Sequence, residues 1–135
     1  KAVDYALNRS AYSNQVEGIP APRTVTVTFS VTVPTNTPAD KTVYIVGNQP
    51  AICNWCNPHT VALTKVASYT WSIDLNFLET TQLEWKYTLG SWDFVEKGAT
   101  CEELSNRQAT ISGLSATQLI TGTVLNWRNV APCGN

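Results

Sequence analysis

Residues 82–96, QLEWKYTLGSWDFVE, crowd Trp85, Trp92, Tyr87, Lys86, Glu84 and Glu96 into one short stretch. Aromatic faces beside a long cationic donor are the parts that hold a sugar. The apolar C–H face of the pyranose lies on an indole, and its hydroxyls take hydrogen bonds from the charged group. For Trp85 and Tyr87 a core position is the preferred reading. Trp92 lies beside the turn residue Gly90, where exposure competes evenly with burial. A second chemical candidate is Cys53-Asn-Trp-Cys56, followed closely by His59, the single histidine of the chain. A structural zinc site usually pairs two such halves, whereas Cys101 and Cys133 stand far apart. No βαβ pattern surrounds the CxxC, which disfavours a thioredoxin-like role. Two disulfides are therefore expected among the four cysteines, with three connectivities open. No metal and no cofactor is expected. No catalytic residue stands out either: His59 has no matching nucleophile, GxSxG is missing, and Glu102-Glu103 reads as solvated surface. A glycosidase would need two carboxylates on rigid elements flanking a cleft.

The elements that must position these side chains are strands. In residues 82–88, Leu83, Trp85 and Tyr87 alternate with Glu84, Lys86 and Thr88, the period-2 mark of a strand with two unlike faces, which points Lys86 outward. Residues 24–33, TVTVTFSVTV, alternate more cleanly still, with Val and Phe on one side and Thr and Ser on the other. This is a sheet with one face buried and one solvated. Further strands are read at residues 42–46, 61–64, 69–76, 92–95, 106–112 and 119–127. Residues 34–40 and 49–59 are loops, and a turn or two of helix is expected at 101–104. The pattern predicts an all-β fold, an antiparallel β-sandwich of seven to eight strands, immunoglobulin-like. Trp55 lies in a polar loop between Asn54 and Cys56, where a core role is hard to arrange. Trp71 alternates with Ile73 and Leu75, which puts a core position on at least equal terms with a surface one.

The 135 residues suit one domain with a real core. Net charge is −1, which argues against nucleic acid and anionic membrane surfaces as partners, and no apolar run approaches the length of a spanning helix. Residues 1–23 read as a tail or connector ending in the spacer Gly18-Ile19-Pro20-Ala21-Pro22, with residues 24–135 forming the domain. Asn8-Arg9-Ser10 is a glycosylation sequon. Met is absent, so residue 1 reads as a cut; the even cysteine count suits a secreted chain, and a monomer is expected.

From about Val27 to Arg128 the chain resembles the starch-binding domains of carbohydrate-binding module family 20. The resemblance rests on ordered motifs: VTFSV, VYIVGN, NWCNP, VALT, YTWSIDL, LEWKY, VEKG followed by NR, and a terminal TVLNWR. Each is weak alone, and their order across a β-sandwich is the specific feature. The resemblance implies a non-catalytic module, attached to an amylolytic enzyme, that binds starch, maltooligosaccharides or cyclodextrins. It also implies two sugar sites. At the first, Trp55, Lys86 and Asn106 match the motif positions. The motif's second Trp, before Glu96, is Val95 here; Trp92 lies three residues upstream to supply a ring, and Glu96 is counted with them as a sugar-binding candidate. At the second, Trp71 matches, with Tyr69 beside it. Residues 34–41 carry no aromatic where the family has another Tyr. Trp127 takes a structural role. The loops bearing Cys53 and Cys56 and bearing Cys101 border one site in the family. The resemblance therefore favours a bridge between them, with Cys133 taking the remaining partner and Cys53–Cys56 disfavoured. The competing readings are a ligand-free β-sandwich spacer or adhesion domain of a larger secreted protein, and a small enzyme, which the lone histidine and short chain disfavour.

Overall fold

The computed structural model describes residues 21–134. Among these residues nine strands follow in chain order: β1 Thr24–Thr32, β2 Tyr44–Gly47, β3 Thr64–Ala67, β4 Thr70–Leu78, β5 Gln82–Thr88, β6 Glu96–Lys97, β7 Arg107–Thr110, β8 Thr117–Thr123 and β9 Asn126–Trp127. They form a four-stranded sheet in the order β3-β4-β1-β8, a three-stranded sheet β2-β5-β7, and a small ribbon β9-β6. The expected connector, residues 1–23, lies outside the described residues except for its last three, and so does the sequon at Asn8.

β1 organises the larger sheet. Val25, Val27, Phe29 and Val31 all turn into the core and are fully buried. On the outer face, the Thr26 and Thr28 hydroxyls donate to Asn76 Oδ1 and Asp74 Oδ1 at 2.8 and 2.6 Å. The alternation read from sequence is thus a physical division between packed methyls and a hydrogen-bonded polar ladder. Phe29 meets Trp85 of the facing sheet edge-on at 5.5 Å between ring centroids, and Phe77 at 6.2 Å. The Phe29–Trp85 contact joins the two sheets into a sandwich, while Phe77, on the neighbouring strand β4, backs Phe29 within its own sheet. Trp85, Tyr87 and Trp127 are core, as expected.

Several local expectations are corrected. β8 runs parallel to β1, against the otherwise antiparallel pairing. Residues 61–64 contribute one isolated bridge, Tyr44 to Ala62, and β3 begins at Thr64. Residues 92–94 are not extended: Trp92–Phe94 is a 3-10 turn whose start is capped by the Ser91 hydroxyl accepting from Asp93 N–H, and only Val95 is extended, in an isolated bridge to Thr88. Residues 101–104 form no helix. Residues 119–127 divide into β8 and β9, so that Trp127 can drop into the core and donate from Nε1 to Thr37 Oγ1 at 2.8 Å.

One ion pair crosses between the sheets. Glu96 is 2% exposed and accepts from Arg107 Nε at 2.9 Å, Arg107 NH2 at 2.7 Å and the Tyr87 N–H at 3.0 Å. The same guanidinium donates to the Thr123 carbonyl at 2.8 Å. One bidentate pair therefore ties β5, β6, β7 and the end of β8 together.

Candidate functional site

The loop that carries Trp55 is anchored before it begins. Asn48 clasps β5: its backbone N–H donates to Glu84 O, its side-chain amide donates to Gln82 O, and its Oδ1 accepts from Glu84 N–H, at 3.0 to 3.1 Å. A 3-10 turn, Pro50–Trp55, follows with Ile52 buried in the core. Cys53, Asn54 and Trp55 then take left-handed φ values of 66°, 51° and 61° in succession. That run turns the chain sharply and lifts Trp55 off the sheet. Cys56 N–H donates back to Cys53 O at 3.0 Å, and a disulfide joins Cys53 to Cys56 across 5.3 Å between Cα atoms. Cys101 bridges to Cys133. Two disulfides form, as expected, but the pairing implied by the resemblance is overturned. The tight left-handed turn brings Cys53 and Cys56 to bridging distance of each other, and the C-terminal segment returns to the Cys101 loop.

Trp92 reaches the same place from the other side. Its turn is held by the Ser91 cap and by Asn129 Nδ2 donating to Asp93 O at 2.9 Å. Beneath it lies His59, buried, whose Nδ1 is 2.6 Å from Thr88 Oγ1 and whose ring meets Trp92 edge-on at 4.7 Å and 82°. Burial lowers the pKa of His59 from its ordinary value, favouring the neutral imidazole under the indole. The Trp55 and Trp92 centroids are 6.1 Å apart with planes tilted by 32°. This is a bent platform rather than a flat one. Both rings line a cleft of about 420 Å³ with Lys86, Val95, Glu103, Asn106 and Arg128. Lys86 Nζ donates to Leu104 O, which aims it along the cleft wall. Asn106 Nδ2 donates to Glu84 Oε1 at 3.2 Å. The cleft therefore combines two aromatic faces with polar side chains of fixed direction. It suits a ring with one apolar face and a hydroxyl rim.

The remaining candidates stand elsewhere. Glu96 is withdrawn from sugar contact: it is buried and both its oxygens serve Arg107 and the Tyr87 N–H. Trp71 is 8% exposed and packed in the core, whereas Tyr69 is 43% exposed. Both border a second hollow of about 350 Å³ with Lys41, Lys65 and the loop from Val33 to Ala39. That loop brings no aromatic to it. Three participants escaped the sequence reading. Glu103 reads from sequence as solvated surface and Arg128 is given no role there, although its position directly after a core Trp is a signal: Arg128 N–H donates to Val95 O at 2.9 Å, fixing it beside the cleft. His59 was weighed as a metal ligand, and its work is to prop Trp92.

Comparison with known proteins identifies the family. The starch binding domain family matches residues 24–121. The chain is 45% identical over 130 residues to an amylopullulanase of Thermoanaerobacter thermohydrosulfuricus, covering 96% of this chain and 8% of that protein. It is 34% identical over 108 residues to an alpha-amylase of Niallia circulans, covering 80% of this chain and 8% of that one. The chain thus spans less than a tenth of the curated relatives it matches. Among solved structures, it superposes on the family 20 carbohydrate-binding module of the maltotetraose-forming amylase from Pseudomonas saccharophila with a TM-score of 0.52 at 24% identity, covering 73% of this chain and 99% of that one. The family 15 glucoamylase of Hypocrea jecorina gives 0.58 at 23% identity, covering 87% and 20%. These two likenesses concern the fold, which the strand order and facing sheets already describe. Family, relatives and fold converge on one conclusion: the chain belongs to the starch-binding domains of carbohydrate-binding module family 20.

Proposed function

We propose that this domain holds an attached amylolytic enzyme on α-glucan without cutting it, and that the Trp55–Trp92 cleft is the place where the glucan sits. The observation that carries this reading is the pair of rings at 6.1 Å and 32° beside Lys86 and Asn106. An α-1,4-linked chain curves, so two successive glucose faces present a bent surface that a tilted pair matches. Lys86, Asn106, Glu103 and Arg128 supply donors and acceptors to the hydroxyl rim. The hollow at Tyr69 is a weaker second contact, since one exposed ring borders it. The domain acts as a monomer, outside the cell, where polymeric starch is met. Sedimentation of the purified chain with insoluble starch tests the reading. The native domain is expected to pellet with the granules, and Trp55→Ala to bind soluble maltooligosaccharide more weakly by about 1–3 kcal/mol, the scale of one lost stacking anchor. Unchanged affinity in that variant removes Trp55 from the site. A native domain that stays in the supernatant removes the function.

A further inference from the structure

The Trp55 loop adopts a backbone that its residues do not favour. Left-handed φ is tolerated by Asn but disfavoured by most side chains, and here Cys53 and Trp55 adopt it on either side of Asn54. Three anchors oppose that preference from within the loop: the buried side chain of Ile52, the Asn54 N–H to Gln49 O bond and the Cys56 N–H to Cys53 O bond. The fourth is the Cys53–Cys56 bridge, which closes a ring with Trp55 inside it. Its sequence separation is 3, against 32 for Cys101–Cys133. A ring this short removes little freedom from the unfolded chain as a whole. Its effect is local, and the one side chain within the ring that lines the cleft is Trp55.

We propose that the Cys53–Cys56 bridge is the device that positions Trp55 for glucan, and that its reduction switches the cleft to a weak-binding state. The inference rests on the reading of Trp55 as a sugar platform. Both cysteines are partly exposed, so a dithiol in solvent reaches them. One thiolate of the dithiol attacks a bridge sulfur, the Cys53–Cys56 bond breaks, and a mixed disulfide forms. The second thiol of the reagent then displaces the protein sulfur. Two electrons and two protons pass to the protein as two thiols, and the reagent leaves as its own disulfide. Released from the ring, the residues relax from left-handed φ and Trp55 swings away from Trp92. The glucan must then reorder the loop before it can stack, which weakens binding.

The test titrates β-cyclodextrin by calorimetry into the full chain, into Cys53→Ser/Cys56→Ser and into Trp55→Ala, with near-ultraviolet circular dichroism on each. The double variant is expected to bind roughly tenfold more weakly than the native chain. It should also lose the dichroism of the coupled tryptophan pair while its far-ultraviolet spectrum is kept. Affinity within about twofold of native, with the tryptophan signal intact, overturns the proposal. If the double variant does not fold, Cys101→Ser/Cys133→Ser is titrated before and after dithiothreitol. Loss of affinity on reduction and recovery on reoxidation then support the proposal, and unchanged affinity overturns it. Native affinity in Trp55→Ala defeats the platform reading itself. Weak Trp55→Ala beside a native-like double variant defeats the bridge alone.

Discussion

Lys86 shows how a side chain can be placed by alternation and still hold a contact no pattern reveals. Its strand position turns it away from Trp85 and Tyr87, as the sequence implies, but its ammonium also donates to Leu104 O. Lys86→Ala is expected to weaken maltooligosaccharide binding by about 1.5–3 kcal/mol, the range for hydrogen bonds to charged groups. Melting temperature should fall little, because Lys86 and Leu104 are only half-buried and the bond they lose supports little packing. A large drop in melting temperature with normal binding would make Lys86 a brace for the Leu104 loop instead. His59 makes a different prediction. Burial holds its pKa below the ordinary 6.5, so as pH falls the unfolded chain takes up the proton first. The stability that neutral His59 gives is complete above about 6.5, declines below it at up to about 1.4 kcal/mol per pH unit, and levels off once the folded-state pKa is passed. Denaturant melts between pH 7 and pH 5 check this: His59→Gln should flatten part of the native slope, and parallel slopes would exclude His59. Trp55 was legible because a Trp among polar loop residues has no core to enter. Glu96 was not, because its partner Arg107 is on another strand, eleven positions on in sequence.

At the scale of elements, legibility followed the length of the pattern. β1 and β5 were readable because each alternates over several residues, and a one-residue slip would expose a whole apolar face. Residues 92–94 were misread because three residues fit a strand and a 3-10 turn equally well; only the Ser91 cap decides. The parallel β1–β8 pair was hidden for another reason, since alternation fixes which face is buried and not the direction of the neighbour. The elements are locked at Glu96 and Arg107, which join strands of both sheets and the ribbon. Arg107→Ala leaves the buried Glu96 carboxylate without its cation, and a buried pair broken on one side costs about 3–5 kcal/mol. Equilibrium unfolding in urea measures it. A loss below about 1 kcal/mol would place this pair with ordinary surface bridges.

For the whole molecule, composition and spacing sufficed for an all-β fold, and the ordered motifs sufficed for the family. The disulfide connectivity was not available from either. Four cysteines leave three pairings, and the choice depends on how the chain returns in space. It returns through β9: Trp127 is buried, and the segment after it turns back to bring Cys133 to Cys101. Cys101 belongs to the same connection as Glu103 and Asn106, which line the cleft. This bridge thus fastens the chain end to one wall of the site, while Cys53–Cys56 shapes the other. With a sequence separation of 32, its closure should stabilise the fold by about 3–4 kcal/mol through the unfolded state. Cys101→Ser/Cys133→Ser is therefore expected to unfold at markedly lower denaturant. Its β-cyclodextrin affinity should stay near native at a temperature where it remains folded, because Trp55 and Trp92 keep their own supports. Urea melts and calorimetric titration on the same preparation separate the two effects. Equal loss of affinity and stability would mean that the chain end also shapes the cleft.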